Sequence, residues 1–238
     1  MSESKPTFLE FFAGGGMVRL GLGPAWRCTF ANDICQKKAA SYRAAFGEGE
    51  LRVADVETLS SQDVPGHPDL AWASFPCQDL SLAGAGAGLA GSRSGAFKPF
   101  WKLMLDLAAE GRAPRVIVLE NVTGALTSHG GRDFAYLLTA LADAGYRAGA
   151  LVIDAARFLP QSRPRLFVIG ALSGSIPDNC FAKEPALPWQ PHTLRSVFTR
   201  LSSRLRRNWV WWRLPEPPAP LRSFASLLES DDRVEWHS

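Results

Sequence analysis

Short apolar runs alternate with amphipathic segments through the first two-thirds of the chain. Thr7–Phe12 reads as a buried strand, and Met17–Leu22 opens the helix that follows it. Trp26–Ala31 is a second strand, Ile34–Phe46 a helix with lysines on one face, Leu51–Ala54 a short third strand and Leu70–Phe75 a fourth. From Phe97 to Glu110 a helical period runs through Phe100, Trp101, Met104, Leu105 and Ala108. Val116–Leu119 is a fifth strand, Phe134–Ala144 a helix, and Tyr146–Asp154 and Leu166–Ala171 are two further strands. This alternation predicts an α/β fold, a doubly wound and mostly parallel sheet with helices on both faces. In such folds ligands bind outside the carboxyl ends of the strands.

After Ala171 the pattern fades and proline becomes dense, at Pro177, Pro185, Pro188, Pro191, Pro215, Pro217, Pro218 and Pro220. A boundary near Leu172 therefore divides the chain into residues 1–171 and 172–238, with Leu221–Leu228 as a short helix in the second part. Between Arg195 and Arg213 six arginines occur without an acidic residue, and Trp209, Trp211 and Trp212 are interleaved with the last of them. Two readings fit: a stretch lying along nucleic acid, neutralising phosphates and stacking on bases, or a solvated helix face followed by a buried aromatic strand.

Composition narrows the class. With 46% hydrophobic and 21% charged residues the chain has the make-up of an ordinary globular protein. No apolar stretch approaches the roughly 18–20 residues of a membrane span. Met1–Pro6 lacks the charged-then-apolar layout of a leader, so a cytoplasmic location is expected. Cys28, Cys35, Cys77 and Cys180 are irregularly spaced, without a CxxC pair, and the four histidines are scattered, so neither a disulfide framework nor a metal is expected. A reducing compartment leaves Cys77 as a free thiol. The net charge of +3 is only a weak pointer to a polyanionic partner.

The chemistry-bearing residues sit where strands are expected to end. Phe12-Ala13-Gly14-Gly15-Gly16 follows the first strand, and its glycines allow a sharp turn and close approach to a ligand. The spacing is not GxGxxG, which disfavours a dinucleotide. Asp33 ends the second strand, where a carboxylate accepts from ribose hydroxyls, and Asp55 ends the third, within reach of an adenine amino group. Together these describe an adenosine site; singly each acid is as well explained as a cap or turn residue. Pro76-Cys77-Gln78 follows the fourth strand and Glu120-Asn121-Val122 the fifth, and Gln161-Ser162-Arg163-Pro164-Arg165 comes downstream. A thiol, a carboxylate and two arginines at successive strand ends suit nucleophilic attack on a polar ring. The glycine-rich stretch from Leu82 to Gly95 reads as a mobile lid, with Arg93 positioned for a phosphate.

From about Phe8 to Gly170 these motifs, in this order, resemble the DNA (cytosine-5) methyltransferase family. The resemblance implies a Rossmann-like fold, S-adenosylmethionine as methyl donor, and double-stranded DNA with a flipped-out cytosine as substrate. It implies Cys77 as the nucleophile on carbon 6, Glu120 at ring nitrogen 3 and the amino group, Arg163 at the carbonyl oxygen and Arg165 in support. By the same token Phe12 packs against the cofactor in a loop of Ala13, Gly14, Gly15 and Gly16, with Pro76 beside it. Asp33 binds the ribose, Ile34 and Val56 sandwich the adenine, and Asp55 takes its amino group. Gln78, Ser81 and Arg93 are then DNA contacts. Met17 departs from the pattern, since many relatives carry another glycine there. Residues 172–238 look like the start of a target-recognition region, and no match to the family's closing elements precedes Ser238. A truncated relative, a chain lacking its C-terminal part, and half of a split enzyme completed by a second polypeptide all fit. Alternatives from other classes are a non-catalytic cofactor- or DNA-binding remnant and a transfer-RNA cytosine-5 methyltransferase.

Overall fold

A strand buried on both faces must be apolar at nearly every position, and Thr7–Phe11 (β1) meets that demand except at Glu10 and at its half-buried first residue, Thr7. The computed structural model describes residues 4–76, 94–217 and 224–227. In chain order follow Met17–Leu22 (α1), Arg27–Asp33 (β2), Gln36–Phe46 (α2), Leu51–Val53 (β3), Leu70–Ala73 (β4) and Phe97–Ala109 (α3). Then come Val116–Val122 (β5), Arg132–Asp143 (α4), Tyr146–Asp154 (β6) and Pro164–Leu172 (β7). The remaining elements are Phe181–Ala182 (β8), His192–Arg200 (α5), Ser203–Asn208 (α6) and Trp211–Trp212 (β9).

The first seven strands form one sheet in the order β3-β2-β1-β4-β5-β7-β6. All neighbours are parallel except β7, which runs antiparallel to β5 and β6. The expected doubly wound, mostly parallel sheet is thus what the chain forms. Alternate residues of β1 serve opposite layers. Leu9 and Phe11 pack with Phe97, Phe100 and Met104 of α3 and Phe134 and Leu137 of α4, whereas Phe8 packs with Ala31, Tyr42 of α2 and Val118. Phe11, Phe97 and Phe100 are fully buried and meet in tilted and edge-to-face contacts, so this aromatic layer is a large part of the apolar stabilisation.

Two expected boundaries differ in an instructive way. β5 extends to Val122, so Glu120 and Asn121 lie inside the strand rather than after it, because β7 continues the ladder with Val122 opposite Arg165. The arginine motif stands at the start of a strand, not at an end. Since that strand is the reversed one, its beginning lies beside the end of β5.

Beyond Leu172 the chain changes composition without leaving the core. Leu194, Val197, Leu201, Leu205 and Trp209 are buried in the same cluster as the β1, β4 and β5 side chains. Trp209 contacts Phe134, Phe198 and Trp211, and Val210 N–H donates to Ala148 O at 2.9 Å. At Gly149 a Cβ would stand 1.9 Å from Val210 O, so this strand position admits only glycine. Of the two readings of the basic stretch, the described residues match the second: Arg200, Arg204, Arg206 and Arg207 are exposed on α5 and α6, while Trp209 and Trp212 are buried. Of the expected helix at Leu221–Leu228 only residues 224–227 are described, as one 3₁₀ turn. No described helix is long and apolar enough to cross a membrane.

Replacing Trp209 by Ala should lower the unfolding free energy by about 3–5 kcal/mol, the usual cost of emptying a buried aromatic site. Urea denaturation followed by circular dichroism measures it; an unchanged midpoint would show that the residue contributes nothing to the shared core.

Candidate functional site

The carboxyl ends of β1, β2, β3 and β4 converge on a cavity of about 710 Å³, within the range of small-molecule pockets. Its wall includes Phe12, Asn32, Ile34, Ala54, Asp55, Val56, Glu57 and Pro76, with Gly95, Ala96, Lys98 and Pro99 from the start of α3. Five residues expected at a cofactor site, Phe12, Ile34, Asp55, Val56 and Pro76, are therefore brought together. Phe12 has φ 58°, a left-handed conformation rare for a bulky residue. Such strain persists only where the surroundings hold it, and here it occurs in a cavity wall. Ile34 is 64% exposed, an unusual setting for a large aliphatic side chain beside a cavity.

The glycine loop is held from below by Asp33. Its Oδ2 accepts from Gly14 N–H and its Oδ1 from Cys35 N–H, both at 2.8 Å. Asp33 is 5% exposed and, like Ala13, Gly14, Gly15 and Gly16, is not among the wall residues. Gly16, with φ 81°, leaves room for α2, since a Cβ there would lie 2.5 Å from the Phe46 ring. Asp55 is exposed and caps the following turn, accepting from Glu57 N–H through Oδ1 at 3.0 Å. Its other oxygen makes no side-chain hydrogen bond among the described residues.

A second group lies at the ends of β4 and β5. Arg165 Nε stands 3.1 Å from Glu120 Oε1, each side chain about one-fifth exposed. The neighbouring Asn121 is buried; its Nδ2 donates to Phe75 O at 3.4 Å and its Oδ1 accepts from Val122 N–H at 2.9 Å. This bond ties the strand carrying Glu120 to the segment that leads through Pro76 toward Cys77. Arg163 is exposed, and its backbone N–H donates to Asp154 Oδ1 at 2.7 Å. Amide donors from Ala156 and Arg163 hold the Asp154 carboxyl below its ordinary pKa, so the turn before β7 keeps its anionic brace. Cys77, Gln78, Ser81 and Arg93 lie outside the described residues, as does the expected lid up to residue 93. Among the described residues no cluster of histidine, cysteine, aspartate or glutamate could hold a metal ion.

Sequence reasoning gave no role to Asn32, the residue before Asp33 in the second-strand motif, nor to Ala54, Glu57, Ala96, Lys98 and Pro99 of the wall. The last two were discoverable, because they stand in the first turn of α3, directly after the glycine-rich stretch that the sequence singles out. It also missed Glu10, which reads as one polar residue in an apolar strand. Glu10 is 1% exposed, its Oε1 accepts from Val18 N–H at 3.2 Å, and its Oε2 is buried without a hydrogen-bond partner among the described residues. Burial pushes its carboxyl up to about 7, against the opposing pull of the Val18 and Arg19 amides and the Arg19 charge.

A family model described as C-5 cytosine-specific DNA methylase matches residues 6–208. The type II methyltransferase M.NlaX of Neisseria lactamica is 33% identical over 172 residues, covering 71% of this chain and 53% of its own length. M.BsuFI of Bacillus subtilis is 33% identical over 168 residues, covering 70% and 39%. The chain thus spans about half the length of the curated relatives it matches. Among solved structures, a Spodoptera frugiperda DNMT2 mutant superposes with a TM-score of 0.64 at 18% identity, over 95% of this chain and 60% of that one. The Entamoeba histolytica methyltransferase EhMeth gives 0.60 at 21% identity, over 78% and 57%. At these identities the structural likeness speaks for the fold.

Glu10 gives this edge of the sheet a pH signature. Its folded pKa lies above the usual 4.5, so the native state binds the proton more tightly than the unfolded chain. Stability should therefore fall as pH rises from about 4.5 to about 7, by on the order of 3 kcal/mol, and then level off. Urea midpoints of the wild type and of Glu10→Gln across that interval test this; parallel profiles for the two proteins would rule it out.

Proposed function

The chain belongs to the C-5 cytosine-specific DNA methylase family, and from that premise we propose that it is the catalytic part of an enzyme that methylates carbon 5 of cytosine in DNA, with S-adenosylmethionine as donor. The observation that carries this reading is the Glu120–Arg165 ion pair at the end of β5, tied through Asn121 to the segment that runs past the cavity wall at Pro76 into Cys77. A nucleophile, an acid and a cation belonging to one reaction need such neighbouring supports.

The cavity suits an adenosyl group. Ile34 and Val56 offer apolar surface for a base, Asp55 has an acceptor oxygen left over by its cap, and Phe12 faces the same space. Asp33 shapes the loop through Gly14 and Cys35, and the lone pairs those amides leave unused serve the ribose. When bound, S-adenosylmethionine supplies an electrophilic methyl group on its sulfonium.

Carbon 5 of cytosine is a poor nucleophile until the ring is opened to addition. The Cys77 thiolate forms a bond to carbon 6, and the electron pair displaced from the 5,6 double bond makes carbon 5 nucleophilic. Glu120 hydrogen-bonds ring nitrogen 3 and the amino group, stabilising the charge that builds there. The pairing of Arg165 with Glu120 favours Arg165 as the cation that orients this carboxylate, and the exposed Arg163 reaches toward the base or the DNA backbone. Carbon 5 would take the methyl group as its bond to the sulfonium breaks and S-adenosylhomocysteine leaves. A base then takes the carbon 5 proton, and the freed electron pair re-forms the 5,6 double bond as the Cys77 sulfur departs from carbon 6. The base must leave the duplex stack to be reached, with Gln78, Ser81 and Arg93 on the DNA side.

Because this chain spans about half the length of its curated relatives, target recognition and full turnover are proposed to need sequence of the kind those relatives carry beyond the matched stretch, in the same polypeptide or a second one. Duplex DNA containing 5-fluorocytosine should trap a covalent adduct on Cys77, since fluorine cannot depart as the proton does. Cys77→Ala should abolish the adduct and lower labelled methyl transfer on the order of 10³-fold or more, and Glu120→Gln should lower it about 10²-fold. Duplex DNA and transfer RNA compared as acceptors decide the substrate class. No transfer to any cytosine-bearing acceptor, with the relatives' missing region supplied as a second chain, would refute the reading.

A further inference from the structure

Asn32 stands where three segments of the cavity meet. It is 1% exposed, next to last in β2, and its side chain spends both donors of one amide nitrogen on the exit of β3. Nδ2 donates to Arg52 O at 3.1 Å and to Ala54 O at 2.9 Å. Its backbone carbonyl accepts from Ala13 N–H at 2.9 Å, in the loop that begins at Phe12. The regular β2–β3 ladder ends at Asp33 opposite Val53, and Ala54 N–H adds a bond to Asp33 O at 3.2 Å. Beyond that point the Asn32 side chain is what fixes the carbonyl of Ala54, the residue directly before Asp55 and Val56.

We propose that Asn32 is a positioning residue for base selectivity: its amide clamps the β3 exit so that Asp55 presents its acceptor oxygen to the amino edge of an adenine. The inference rests on the reading of the cavity as an S-adenosylmethionine site. Only a two-donor group of this length can do the job. Aspartate has the same volume but would set a carboxylate oxygen, in place of the amide nitrogen, against both carbonyl oxygens, and serine keeps one donor on a shorter arm. The clamp acts through Asp55 and touches neither the methyl group nor the cytosine.

The test is calorimetric titration of the full 238-residue chain with S-adenosylhomocysteine and with S-inosylhomocysteine, whose base carries an oxygen in place of the amino group. The wild type should prefer the adenosyl ligand about 100-fold, as a site built to accept a hydrogen bond rejects a partner without the donor. In Asn32→Asp the preference should collapse to roughly threefold or less, with the loss falling on the adenosyl ligand. Asn32→Ser should give an intermediate ratio and stands in should the aspartate variant fail to fold. Asp55→Asn should match Asn32→Asp in selectivity. If the wild type discriminates and the Asn32 variants keep its ratio, the clamp is wrong while the cofactor reading survives. If the wild type binds both ligands equally, the base-selective roles of Asp55 and Asn32 fall together but the cavity remains an S-adenosyl site. If the wild type binds neither, both the reading and the inference fail.

Discussion

The rule that parallel strands finish at one edge of their sheet governs everything functional in this chain. Four neighbouring strands, β3, β2, β1 and β4, deliver the cavity, and β5 delivers Glu120 beside it. A crossover connection returns the chain to the opposite edge each time, through a helix after β1, β2 and β4 and through 3₁₀ turns after β3, so the next strand ends where the last one did. The single reversed strand would break this order if its chemistry lay at its end. It lies at its start instead, and Arg165 thus joins Glu120 across the β5–β7 ladder.

Such an edge is made of strand exits, and strand exits leave backbone groups without ladder partners. The chain satisfies them with side chains that recur at every turn. Asp33 takes the amides of Gly14 and Cys35, Asn121 links Val122 to Phe75, and Asp154 takes Ala156 and Arg163. Hydrogen bonds between a carboxylate and amides are among the stronger ones, so these loops are shaped before any ligand arrives. Glu10 is the costly member of this set. One oxygen serves Val18 at the head of α1, the other is buried without a hydrogen-bond partner among the described residues, and burial makes the carboxyl hold its proton more tightly.

The fold was legible in the sequence because burial on both faces leaves little freedom: β6 matches its expected limits, and the other principal strands shift by a few residues at most. Phe12, Ile34 and Val56 were expected at the cavity through the family resemblance, and Asp55 also from its place at a strand end. What stayed hidden has one cause. Asn32 meets carbonyls 20 and 22 residues away and Glu10 an amide of the next helix, and periodicity carries no record of which carbonyl or amide a polar side chain will meet. The same limit applies to Trp209, since an arginine-rich, tryptophan-bearing stretch has one spelling for a nucleic-acid surface and for a helix sealed over a core.

The outer border of the sheet is closed in an unexpected way. On the β6 side, Val210 N–H reaches Ala148 O, Val152 N–H reaches Trp189 O, and Asn208 Nδ2 reaches Tyr146 O, so the chain's own later residues occupy that flank. On the other side β3 is only three residues long and carries the exposed Arg52. Among the described residues, neither flank presents a long row of free amides and carbonyls, the template on which β-rich chains zip together. On the β6 flank, a docking polypeptide would meet backbone groups of Ala148, Val152 and Tyr146 that are already engaged.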